Sequence, residues 1–140
     1  MLFRKIGRWY VIRLERGEKI IASLTALCEK EKIEAGFFNG LGAASDVELA
    51  HYSLLTKEYS FLKLSGQYEI ASLHGNISTF ENKPYIHSHI TVADDKFSTR
   101  SGHLKEGVIS ATGEIVLMSF AGHLTRVRDQ ASGLNLLDLT

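Results

Sequence analysis

His87 and His89 stand two residues apart, and a third histidine, His103, follows fourteen residues later. The run Tyr85-Ile86-His87-Ser88-His89-Ile90 has the aromatic and β-branched character of a strand. Side chains two apart on a strand share a face, so both imidazoles project together. A polar, turn-rich segment, residues 94–102, separates them from His103. If the flanking strands pair as a hairpin, His103 lies across from the pair. Three neutral imidazoles on one sheet face match a zinc site with an open fourth position. Such a site polarises a bound water or takes an anionic or carbonyl ligand. The same pattern also fits histidines that serve only as hydrogen-bonding structural residues. His51, His74 and His123 read as ordinary strand histidines, and His74 can approach the same face.

Two charged residues are candidates for supporting roles. Glu69, within Gln67-Tyr68-Glu69-Ile70, can act as a base toward water held by a metal, or face solvent as a strand carboxylate. Arg13, at the end of an apolar strand, can anchor an anion or pair with Glu15. Nucleophile chemistry is not indicated. The sequence has no Gly-x-Ser-x-Gly elbow, and its single cysteine, Cys28, falls on the apolar stripe of a helix. Gly40 and Gly42 make no phosphate loop, because no Gly-Lys-Ser/Thr follows them.

The elements that must position these residues are mainly strands. Residues 9–14 read as the first. Ile20, Ile21, Leu24, Leu27 and Cys28 then recur at three- and four-residue spacing, which predicts one amphipathic helix over residues 19–32. From residue 36 the period changes to two. Strands are expected over residues 36–44, 47–55, 59–64, 68–80, 85–93, 103–110 and 114–120, broken by turn residues such as Ser65-Gly66 and Thr112-Gly113. The glycines of residues 36–44 indicate a bulged strand. The fold class is therefore α+β, a mainly antiparallel β-sheet with one principal α-helix.

A length of 140 residues suits a single compact domain, and 44% hydrophobic with 23% charged residues is ordinary globular composition. Sixteen basic residues balance sixteen acidic ones, so no whole-molecule attraction to nucleic acid or anionic membrane is visible. Residues 1–19 carry six basic side chains against two acidic ones, either a solvated terminus or a phosphate-binding arm. One cysteine cannot close a disulfide within the chain, which suits a reducing compartment. No apolar run approaches the ~18 residues of a membrane span, and the first residues lack a secretory pattern. The expectation is a cytoplasmic protein with no membrane partner.

Taken in order, Gly66-Gln67-Tyr68-Glu69, His87-Ser88-His89 and Ser101-Gly102-His103 resemble the plants-and-prokaryotes (PPC) domain, which in plants accompanies AT-hook motifs. Arg16-Gly17-Glu18 before the helix and Asn39-Gly40-Leu41-Gly42-Ala43 after it fit the same pattern. The likeness covers nearly the whole chain, residues 1–140 as one domain with its core at roughly 8–125. It implies a homotrimer of α+β subunits that carries zinc on His87, His89 and His103, in a cavity near a subunit interface. Asn39 and Gly40 then join Arg13 as ligand-binding candidates, and Glu69 becomes the candidate catalytic residue. The apolar runs at residues 37–44 and 134–139 are candidates for subunit contact. Members of this family are commonly described as DNA-binding. The Arg-Gly-Arg-Pro core of an AT-hook is absent, since the only proline, Pro84, follows Asn82-Lys83. DNA contact thus follows from family analogy alone. The expected function is a zinc-binding homotrimer with a small-ligand or regulatory role, with imidazole ligands leaving the metal's identity open. The alternative is a zinc-dependent hydrolase acting on a small carbonyl substrate, with Glu69 moving the proton.

Overall fold

Burial alternates along the strands and locates the core. A computed structural model describes residues 1–140, with the elements β1 (Leu2–Ile6), β2 (Trp9–Glu15), α1 (Ile20–Glu31), β3 (Gly36–Ser53), β4 (Glu58–Leu64), β5 (Tyr68–Phe80), β6 (Lys83–Ala93), β7 (Thr99–Ser119), β8 (Thr125–Arg128) and β9 (Asn135–Asp138). On β2, Tyr10, Ile12 and Leu14 are buried while Trp9, Val11 and Arg13 face outward. The α+β class and the largely antiparallel sheet agree with the reading of the sequence.

The sheet curls because two of its strands are long and bulged. β3 and β7 run 18 and 21 residues, and their mutual pairing shifts register at Gly42/Ala44 and again near Glu48. Extra residues at such bulges bend a strand and increase its twist. Gly42 sits at φ +143°, and a Cβ there would lie 2.1 Å from the Thr112 carbonyl oxygen, so only glycine fits. β7 pairs with β3 from His103 to Ser119, while its first residues also pair with β6 and its last third with β2. Because β6 also pairs with β5, and β5 with β3, these four strands close on one another.

The helix fills the concave side. Ile20, Leu24, Leu27 and Cys28 are fully buried, each large aliphatic side chain contributing about 1.5–3 kcal/mol by leaving water. No side chain at Lys19 caps the helix. The Glu106 carboxylate does so from β7, accepting from the backbone N–H groups of Ile21 (2.8 Å) and Ala22 (3.2 Å). At the other end Lys32 takes a left-handed conformation (φ 55°) and the Ile33 N–H donates to the Cys28 carbonyl. Burial pushes the Cys28 thiol up to about 12, as expected of a core residue.

Three sequence expectations need correction. The breaks expected near residues 45–46 and 111–113 are bulges inside continuous strands, because bulge residues such as Asp46 (φ 47°) look like turn residues. Residues 2–6, whose charge left a solvated terminus and a phosphate-binding arm both open, form β1 along β2, with Lys5 turned to Glu31 of the helix at 3.4 Å. Residues 125–138 fold back as the β8–β9 hairpin, joined to β5 by a parallel bridge at Thr79 and Thr125, while His123 lies in the connection before it and not on a strand. No helix is long and apolar enough to cross a membrane.

Candidate metal centre

On β6, Ser88 and Ile90 point into the core, so His87 and His89 point outward by the strand's period of two. β6 pairs with β7 in the expected hairpin, placing His103 directly opposite His89. The three rings lie close, with centroids 5.5 Å apart for His87 and His89, 5.3 Å for His87 and His103, and 5.7 Å for His89 and His103. One ring nitrogen from each falls within 4.8 Å of the other two. Nitrogens sharing a tetrahedral ion at about 2.0–2.1 Å stand roughly 3.3 Å apart, so modest ring rotation closes the set. His74 pairs with His89 from β5, its ring centroid 6.3 Å away, at the margin of the cluster.

Backbone close approach holds this geometry. Gly75 on β5 faces Ser88, and a Cβ on it would lie 2.4 Å from the His87 carbonyl oxygen and 2.6 Å from the Phe38 ring. Any side chain there would displace the segment that carries His87.

The electrostatics favour neutral imidazoles. Burial first, then the neighbouring His103, Arg126 and His89, lower His87 to about 4. His89 and His103 are lowered in the same direction, again chiefly by burial. Their lone pairs are therefore free at neutral pH, and a neutral three-imidazole donor set fits a divalent transition metal.

The rings open into a cavity of about 620 Å³ whose far wall comes from the C-terminal hairpin. Arg126 is half-buried there and Arg128 stands beside it. The Arg126 guanidinium donates from Nε to Ser78 Oγ, and from its two terminal nitrogens to the Asn135 carbonyl and Asn76 Oδ1, each at 2.7 Å. It also stacks on the Tyr85 ring at 4.7 Å. Tyr59 approaches His103 at 6.2 Å, and burial raises its hydroxyl pKa. No aspartate or glutamate lines this cavity. Sequence reading missed the arginines because its last strand ended at residue 120 and it assigned no element to residues 125–128. The signal was there in Thr125-Arg126-Val127-Arg128, which has the same alternation as His87-Ser88-His89.

The remaining candidates sit elsewhere. Arg13, Asn39 and Gly40 come together around a second, mostly apolar cavity of about 640 Å³ with Val11, Leu41 and Val116. Arg13 is exposed and reaches Glu15 at 3.3 Å. Asn39 also borders a groove shared with His74, His87 and His89, so it adjoins both regions. Glu69 is exposed and lines a third cavity with Asp94 and Asp95. It pairs with Ala93, four residues along β6 from His89, about 13 Å of strand. Within one chain it is not brought to the histidines.

Residues 1–121 match the model of the Plants and Prokaryotes Conserved (PCC) domain. A crystal structure from Bacteroides thetaiotaomicron, of a protein provisionally named as DNA-binding, is similar at 32% identity and TM-score 0.95, covering 98% of this chain and 96% of its own. A plant- and prokaryote-conserved protein of Pyrococcus horikoshii gives 30% identity and TM-score 0.88 over 99% of this chain and 96% of that one. A metal-containing protein of Archaeoglobus fulgidus gives 28% identity and TM-score 0.86 over 97% of each chain. Among curated proteins, the bifunctional protein GlmU of a Synechococcus strain is 32% identical over 126 residues, which is 89% of this chain but only 19% of that protein's length.

Proposed function

The chain belongs to the Plants and Prokaryotes Conserved domain family, and from that premise we propose that it is a zinc-binding homotrimer with a small-ligand or regulatory role. The observation that carries the reading is the convergence of three imidazole nitrogens within 4.8 Å on one sheet face. The name of the Archaeoglobus relative, a metal-containing protein, supports it. His87, His89 and His103 would hold the ion, which supplies Lewis-acid polarisation to a ligand at its remaining position. The protein's part is to keep the imidazoles neutral, fix their backbone through Gly75, and orient the ligand from the hairpin wall. The reading does not use Glu69, which stands in another cavity, so it describes a binding centre and not a hydrolase. Assembly is assigned to the exposed apolar side chains around the second cavity, Trp9, Val11, Leu41 and Val116, which a neighbouring copy would cover.

Elemental analysis of untagged, dialysed protein tests the metal. About one zinc per chain is expected, absent from a His87→Ala/His103→Ala double variant. No metal in either protein after zinc is added back reduces the histidines to structural residues.

A second reading, DNA binding, draws on the name of the Bacteroides relative and on Arg4 and Arg8, which stand exposed on β1 and the turn after it. Duplex affinity should fall steeply with salt and drop in an Arg4→Gln/Arg8→Gln variant. Equal affinity of that variant and the parent protein in a salt series would remove this reading.

A further inference from the structure

We propose that the cavity between the histidines and the C-terminal hairpin is a binding site for a small organic carboxylate with a flat, apolar body. This deepens the metal reading above and rests on it only for the ligand's contact at the fourth position.

Charge carries the inference. The cavity wall holds two arginines and the histidine cluster but no carboxylate, in a chain whose acidic and basic residues are equal in number. Arg126 is half-buried, yet all three of its hydrogen-bond partners are neutral and it joins no ion pair. Buried cations are ordinarily balanced by a counter-anion. A divalent ion on the histidines would raise the local positive charge further.

The donors and walls narrow the class. A guanidinium has five N–H groups, and three are used within the protein, leaving one on each terminal nitrogen for an acceptor. Asn76, Ser78 and the Asn135 carbonyl hold the fork in place, so little ordering is left for the ligand to pay. Tyr52, Tyr59, Leu134 and Leu136 offer aromatic and aliphatic surface, and the volume of about 620 Å³ suits a small organic molecule. Compact inorganic phosphate would use none of that surface. The segment that builds this wall, residues 125–138, lies beyond the 121 residues matched by the family model, so the matched segment alone does not supply the arginines.

The test is calorimetric titration of benzoate into zinc-loaded and metal-free protein, with neutral benzamide and inorganic phosphate as comparators. Benzoate should bind the zinc-loaded protein, benzamide and phosphate much more weakly. Arg126→Gln should lose about tenfold or more in benzoate affinity while retaining its zinc. Because Arg126 also ties the hairpin to β5, Arg128→Gln provides a second variant with less structural burden, and a smaller loss is expected. Normal zinc content with no benzoate binding, or with equal binding by both variants, overturns this inference and leaves the metal reading standing. Phosphate binding as tight as benzoate overturns the organic class. If the protein takes up no zinc, the metal reading fails instead, and Arg126-dependent benzoate binding to the metal-free protein would still uphold the site.

Discussion

The outward face of the sheet divides into two regions with the same backbone and opposite chemistry. Around β2, the end of β7 and the start of β3, outward positions carry Trp9, Val11, Val116 and Leu41, with Phe37 edge-on to Trp9 at 6.4 Å. Around β5, β6 and the start of β7, the equivalent positions carry His74, His87, His89 and His103. Asn39 adjoins the cavities of both regions. Exposed apolar side chains gain by being covered, whereas imidazoles that have lost hydration gain by coordinating. On the proposed function, a neighbouring copy would cover the first region and an ion would sit in the second.

The largest expected effect would break the first region. Val11 and Val116 face each other across the β2–β7 pairing, and each is exposed in the single chain. In a Val11→Glu/Val116→Glu variant the proposed trimer should fall to monomer in analytical ultracentrifugation, since covering two carboxylates without partners is prohibitive. Zinc per chain should stay unchanged if the regions are independent. Loss of zinc together with the trimer would mean that a neighbouring copy completes the metal centre. A monomeric parent protein would show that the apolar region serves another partner.

How much of this division was legible in sequence depended on the range of the interaction. The histidine region could be read because its spacing is local: two residues on one strand, and a hairpin that returns a third. The helix was equally legible from Ile20, Leu24, Leu27 and Cys28, and the structure bounds it at Ile20–Glu31. What could not be read were long-range decisions. The Glu106 cap on α1 joins residues some 85 positions apart. Arg126 enters the cavity only because a parallel bridge at Thr79 turns the tail back onto β5. Glu69 was placed beside the histidines by the family resemblance, and its four-residue offset from His89 within one chain appears only once register is known.

A smaller effect would sharpen the second region. Gly75 lies on the core-facing side beneath His87, without touching any ligand nitrogen itself. Gly75→Ala should push the β6 backbone outward, costing about 1–3 kcal/mol of stability by overpacking. Zinc affinity should fall about tenfold or more, because the His87 ring moves with its backbone. Competition with a chelator, beside a denaturation curve, measures both. Unchanged zinc affinity with reduced stability would show that the three rings adjust freely and are not fixed by β6.

The smallest effect concerns acid, at the rim of the apolar region. Glu18 follows β2, and its carboxylate accepts a hydrogen bond from the Glu15 backbone N–H at 2.8 Å. That bond is the leading cause holding its pKa below the ordinary value of 4.5. A carboxyl depressed in the folded state binds its proton more readily when unfolded. Its stabilisation is therefore complete above about pH 4.5 and is lost as pH falls through the folded value. Glu18→Gln should be slightly less stable than the parent protein at pH 7, and the gap should close at an acid pH below the folded value. Urea midpoints at the two pH values measure this, and a gap of equal size at both would mean that the turn is held by the backbone bonds between Gly17, Glu18 and Ile109 and not by the charge. The apolar side chains beyond that corner do not titrate, so acid should loosen the rim of this region before its centre.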